Sequence, residues 1–315
     1  MADKLIVSSS PHFRSGITTR KIMLDVIAAL FPSVIAAVIL FGPQALFLIA
    51  VSVFTCVASE YISRRIMKRE NTIGDLSAVV TGILLAFNVP VGINPFALAF
   101  GGVAAIVVVK QMFGGIGQNF VNPALTARII LMSSFPSQMS TWAVPFYYLH
   151  QTDAMTTASP LNILKTGADG TMPTLLNMFV GVRAGCLGET CSVALILGGV
   201  YLVLRKVISP VIPVCYVGTA ALISLIAGRN VAFDVLAGGL LLGAIFMATD
   251  YATSPITFRG KIVYAVGAGI ITMLIRIYGA LPEGVSFSII LMNIMVPHIE
   301  RLTRPRAFGK ERAKQ

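Results

Sequence analysis

Charge is scarce in this sequence. Only 12% of its 315 residues are Asp, Glu, Lys or Arg, about half the share that soluble domains carry. With 56% hydrophobic residues and a mean hydropathy of +0.84, the chain cannot cover itself in water. That excludes a soluble globular fold and leaves an integral membrane protein. Histidine is scarcer still. His12, His150 and His298 stand far apart and no H-E-x-x-H occurs, so hydrolytic chemistry has no support. The four cysteines, Cys56, Cys186, Cys191 and Cys215, form no C-x-x-C pair. No zinc or iron–sulfur cage is expected from this chain alone, though a cluster shared with a second subunit stays open. Each cysteine reads as a small helix-packing residue.

Long apolar runs are abundant instead. Ten read as membrane spans, among them Ser77–Val89, Leu187–Leu204 and Val231–Thr249, with Phe120–Phe135 and Val285–His298 the weakest. A full crossing takes about 20 residues, so the shorter runs are expected to be tilted, broken or incomplete helices. The first run is too long for a signal peptide and lacks a small-residue cleavage site, so no cleavable leader is expected.

The net charge of +11 would suit nucleic acid, but its distribution argues against that partner. The basic residues gather at the flanks of spans, where Lys and Arg set orientation. With the N-terminus in the cytoplasm, every Lys and Arg falls on the cytoplasmic side except Lys165, Arg183, Arg229 and the in-span Arg128 and Arg276. The expected organisation is a cytoplasmic segment (1–21), a first five-helix unit (22–135), an extracytoplasmic loop (136–186), a second five-helix unit (187–298) and a basic cytoplasmic tail (299–315). A polar connection of that length is usually functional.

The two units resemble each other. "DLSAVVTGILLAFNVPVGINP" from Asp75 matches "DVLAGGLLLGAIFMATDYATSP" from Asp234, at an offset of about 160 residues. Five spans per unit make the second copy inverted, an architecture of transporters in which broken helices meet near the midplane. Asp75 and Asp234 open corresponding spans. Each reads better as a helix cap than as part of an ion path. Arg128 and Arg276 lie too deep to snorkel; they require either structural partners or an anionic cofactor, and the residues leave both open. "GGIGQN", with Gly115 and Asn119, could offer backbone N–H groups to an anion. It has neither the G-K-[ST] of a Walker loop nor the βαβ setting of a Rossmann site.

The loop contains "DAMTTASPL", Asp153 to Leu161. This stretch resembles D-x-x-[ST]-G-A-[ST], the acceptor signature for phosphate-linked flavin in the NqrB/RnfD family of membrane proteins. "SSPHFRSGITTRKIMLDVIAAL", "GDLSAVVTGILLAFNVP", "GGIGQNFVNPALTAR" and "GETCSVALILGG" resemble the same family in order and spacing. The resemblance implies an all-α fold of about ten transmembrane helices in two inverted repeats, like that of urea transporters. It implies a membrane subunit of an Rnf-type ferredoxin:NAD⁺ oxidoreductase complex coupled to Na⁺ or H⁺ transport. FMN would be esterified to Ser159 in the extracytoplasmic loop by a flavin transferase that recognises Asp153. The implied partners are other Rnf-type membrane subunits, an extracytoplasmic flavin subunit and membrane lipid. Non-covalent riboflavin is implied for some relatives. Two positions depart from the signature: the usual acceptor Thr is Ser159, and the Gly is Thr157. Thr156 and Thr157 are therefore alternative acceptors. Arg183 and Glu189, where the loop re-enters the membrane, are candidate flavin contacts. The competing reading is a solute channel of the same fold without redox chemistry, since fold alone cannot choose.

Overall fold

The computed structural model describes residues 16–149, 156–157, 159–166, 173–279 and 283–304. Asp153 lies outside them. Helix α1 (Thr19–Phe41) is capped by the Thr18 hydroxyl, and Gly42, at φ 74°, turns the chain into α2 (Pro43–Ile66). Helix α3 (Ser77–Phe87) stops at Asn88, two residues before Pro90. Asn94 caps α4 (Pro95–Val103), which runs on as a π-helical segment, Ala104–Gln111. Asn122 caps α5 (Pro123–Ser134), accepting the N–H groups of Ala124 and Leu125.

The connection between the units is built of short pieces. Helix α6 (Pro136–Met139) leads to strand β1 (Trp142–Ala143), which pairs antiparallel with β2 (Thr156–Thr157). Helices α7 (Pro160–Thr166) and α8 (Leu175–Val180) follow. The second unit comprises α9 (Ser192–Leu204), α10 (Val211–Ile226), α11 (Val231–Leu236), α12 (Leu240–Leu242) with a π-helical segment Gly243–Met247, α13 (Phe258–Tyr278) and α14 (Val285–Thr303).

The molecule is an all-α membrane protein. Helices α1, α2, α13 and α14 are long and apolar enough to cross a bilayer, while α3, Pro95–Gln111, α9 and α10 are apolar but shorter. The run Val231–Thr249 is not one span. It breaks at residues 237–239, where Gly238 takes φ 66°. Leu187–Leu204 becomes helical only at Ser192. Ahead of it, the N–H groups of Leu187 and Gly188 donate to Val89 and Phe87 carbonyls, both at 3.1 Å, tying the loop's end to the end of α3. Only glycine fits there, because a Cβ at Gly188 would lie 2.2 Å from Phe87 Cβ.

Helix α1 packs on α9 and α5 on α14. Within the units, α2 packs on α3 and α4 as α10 packs on α11 and α13, and α4 meets α5 as α13 meets α14. The α1–α9 seam depends on Gly198, where an added Cβ would lie 2.2 Å from the Ala29 carbonyl oxygen. Gly198→Val is expected to lower thermal stability in detergent by about 1–3 kcal/mol through overpacking. Gly218→Ala is the control, since nothing lies within 4 Å of its new methyl. Equal melting of the two variants would remove Gly198 from the seam.

The two sequence-equivalent acids play different parts. Asp75 accepts the Ser77 N–H at 2.8 Å and so caps α3. Asp234 is buried and bidentate to Arg229 (2.9 and 3.0 Å), with the Ser224 hydroxyl at 2.6 Å. The cap of α11 is Asn230, whose side chain accepts the Phe233 N–H. Lys110, expected at a basic flank, is buried. Its ammonium lies 2.9 and 3.0 Å from the Glu60 carboxylate and 2.6 Å from the Ser77 hydroxyl.

Candidate functional site

Ser159 stands at the entrance to α7. Its carbonyl accepts the N–H groups of Asn162 and Ile163, and its hydroxyl accepts Asn162 N–H at 3.3 Å. Pro160, with a preset φ and no N–H to satisfy, suits the first helical position. The backbone of Thr156 and Thr157 lies in β2, with Trp142 opposite Thr157. Helix α7 is held at both ends: Leu161 is buried in a cluster with Met178 and Ala237, and the Lys165 ammonium donates to the Gly279 carbonyl.

A buried ionic network is built at the places where helices break. Arg128, from α5, donates to Asn88 Oδ1 at 2.8 Å, pairs with Glu283 and reaches Cys186 Sγ at 3.7 Å. The other oxygen of Glu283 accepts the Gly239 N–H at 2.7 Å. Glu189 accepts the Cys186 N–H at 3.0 Å, and Arg183 donates to the Glu189 carbonyl. Arg276 donates to the carbonyls of Asp234 and Ala237, satisfying the end of α11 where the helix breaks. Burial pushes the Glu283 carboxyl up, but Arg128, the Gly239 N–H and Arg276 more than offset it and hold it below the usual carboxylate range.

The network has three guanidinium groups, Arg128, Arg183 and Arg276, against two carboxylates, Glu189 and Glu283, since Asp234 is spent on Arg229. Among the described residues one positive charge is in excess. Glu189 Oε2 and the Nε atoms of all three arginines have no partner among the described residues. Leu161, in the first turn of α7, packs at the helix break beside this network. A Cβ at Gly238 would lie 2.7 Å from Leu161 Cδ1, 3.2 Å from Arg276 Nη2 and 3.4 Å from Glu283 Oε1.

At another place in the fold is a cavity of about 110 Å³, whose polar lining includes Ser77, Lys110, Asn119, Asn122, Thr249 and Asp250. Asn119 is 8% exposed and its Oδ1 has no partner among the described residues. Burial pushes the Asp250 carboxyl up, against the Ala252 N–H and the Thr253 hydroxyl that bond it. Gly115 does not line this cavity. Its N–H donates to the Lys110 carbonyl at 2.9 Å, and an added Cβ would meet Arg64 Nη2 at 2.1 Å. Its glycine therefore serves a tight turn under Arg64.

Of the sequence-derived candidates, Arg128, Arg183 and Glu189 come together, Ser159 stands at the start of α7, and Asn119 lies apart in the cavity. Glu283 was not anticipated. The signal for it was accounting: in-span arginines need carboxylates, and the chain has only 13 acidic residues.

The model of the NQR2, RnfD, RnfE family matches residues 6–309. The chain is 47% identical to the D subunit of the Na⁺-translocating ferredoxin:NAD⁺ oxidoreductase complex of Acetobacterium woodii, over 99% of this chain and 97% of that one. It is 41% identical to the D subunit of the proton-translocating ferredoxin:NAD⁺ oxidoreductase complex of Clostridium ljungdahlii, over 97% and 96%. It is 36% identical to the D subunit of the ion-translocating oxidoreductase complex of Stutzerimonas stutzeri, over 92% of each chain.

Proposed function

This chain belongs to the NQR2, RnfD, RnfE family, and from that premise we propose that it is the flavin-carrying membrane subunit of an ion-translocating ferredoxin:NAD⁺ oxidoreductase. FMN is esterified to Ser159, and redox chemistry drives transport of Na⁺ or H⁺ by the assembled complex. The partners are the other membrane subunits, an extracytoplasmic flavin subunit and the flavin transferase that matures the loop.

One observation carries the reading. The Ser159 hydroxyl lies at the entrance to α7, and Leu161 of that helix packs at the break beside a buried network that, among the described residues, has an excess guanidinium charge. The residues fit the group. A phosphoester oxygen at Ser159 stands where a helix start favours an anion. Bound flavin supplies an electron carrier; the protein's share is to hold and orient it. Ser159 anchors, while Leu161 and Lys165 fix α7 beside the network. Arg183 and Glu189 brace the segment where the loop re-enters. Arg128 locks α5 to Glu283 at the entrance to α14 and so joins the two units.

The mirrored packing of α1–α5 and α9–α14 supports an inverted repeat, and the distribution of Lys and Arg supports cytoplasmic termini with the 136–186 loop outside. The cavity around Asn119, Asn122 and Asp250 is our candidate for non-covalent riboflavin. The orphaned Asn119 Oδ1 calls for an N–H or O–H donor, which a flavin ring or ribityl chain provides. The test is ultraviolet fluorescence of the denatured protein in a gel, from complex co-expressed with its transferase. A fluorescent band is expected, with riboflavin in the acid-soluble extract. A dark band overturns the covalent reading.

A further inference from the structure

The last turn of α9, the start of α10 and the first turns of α1 form a feature that flavin chemistry does not use. Lys21, Asp25, Arg205, Lys206 and Tyr251 line a pocket of about 320 Å³. Arg205 is spent on Asp25, at 3.2 and 3.4 Å, and the Tyr201 hydroxyl donates to the same carboxylate at 3.1 Å. Lys21 and Lys206 have no ion-pair partner among the described residues. Among the described residues the pocket thus presents two uncompensated cations beside a neutral pair. Lys206 also takes φ 57°, the left-handed conformation in which glycine usually ends a helix.

Across the turn at 203–208 lies a groove of about 330 Å³ with a wholly apolar lining, including Gly199, Val200, Leu204, Pro213, Val214 and Ile245. It exists because the two helices flanking it pack elsewhere: α9 on α1, and α10 on α13. Val200, Leu204 and Val214 are exposed on its walls, where hydrocarbon is the solvent.

We propose that this pair of features is a binding site for an anionic phospholipid, its phosphate between Lys21 and Lys206 and one acyl chain in the α9–α10 groove. A cationic pocket between helices recognises acidic headgroups, and the adjoining groove offers the chain only apolar contacts. The site holds α1 to the α9–α10 turn from the lipid side. It is independent of flavin attachment.

The test is native mass spectrometry of the purified complex, titrated with phosphatidylglycerol or phosphatidylcholine. A retained phosphatidylglycerol adduct is expected, weakened ~5-fold by Lys206→Gly and ~30-fold by Lys21→Gln with Lys206→Gly. Lys206→Gly relieves the left-handed backbone, so loss of lipid is separated from loss of fold, and Lys206→Arg is expected to retain the adduct. Equal retention of phosphatidylcholine overturns the proposal, as does undiminished binding by the double variant. Disulfide cross-linking of Leu204→Cys to another subunit also overturns it, because the groove is then a protein interface.

Discussion

Glu283→Gln is expected to destabilise the protein severely, by about 3–5 kcal/mol, because it leaves the Arg128 guanidinium buried without its countercharge. Arg128 is 3% exposed and its remaining partners are the Asn88 amide oxygen and the Cys186 sulfur, both neutral acceptors. A glutamine could keep the Gly239 N–H bond but not the charge. The measurement is thermal unfolding of the purified complex in detergent. Arg128→Met together with Glu283→Gln is expected to recover most of the loss, since replacing both members of a buried pair by neutral groups costs far less than orphaning one. If the single and double variants melt alike, the pair does not hold the two units together. The pH dependence has a definite sign. The folded Glu283 carboxyl sits below its ordinary value of 4.5. Its contribution is therefore complete above that value and is lost as pH falls through the lower folded value. Glu283→Gln removes that acid-side loss.

Ser159→Ala is expected to abolish the FMN adduct and bring ferredoxin-dependent NAD⁺ reduction by the complex to background. Thr156→Ala and Thr157→Ala are expected to keep both. The alanine also removes a hydroxyl that accepts Asn162 N–H, at a cost near 1 kcal/mol to α7. Ser159→Asn separates the two effects, because it supplies a capping oxygen but no nucleophilic hydroxyl. It is expected to lose the adduct with α7 in place, while Ser159→Thr keeps it. Intact mass of the protein reads all five variants. An adduct that survives Ser159→Ala moves the acceptor to a neighbouring threonine.

Membrane class, the apolar runs and most of their basic flanks were legible in the residue order. Hydropathy is a sum over neighbours in the chain, and the bilayer reads that sum directly. Helix starts were legible only in part: Asp75 caps α3 as expected, but Asp234 does not cap α11, whose cap is Asn230. The break inside Val231–Thr249 was not legible, although it carries Gly238 and Gly239. Glycines in such a run serve equally as packing surfaces, and here the decision rests on Arg276, which satisfies the Asp234 and Ala237 carbonyls from another helix.

What the sequence alone determined is therefore the kind of solvent this chain lives in and the family to which it is similar. What only the tertiary structure decided is how the buried charges are spent. Glu283 reaches Arg128 across 155 residues and Glu60 reaches Lys110 across 50. Asp75 caps its helix while its counterpart Asp234 binds Arg229. A buried charge is stabilised only by the partner that comes within a few ångströms of it. Which partner that is depends on how helices distant in the chain pack together.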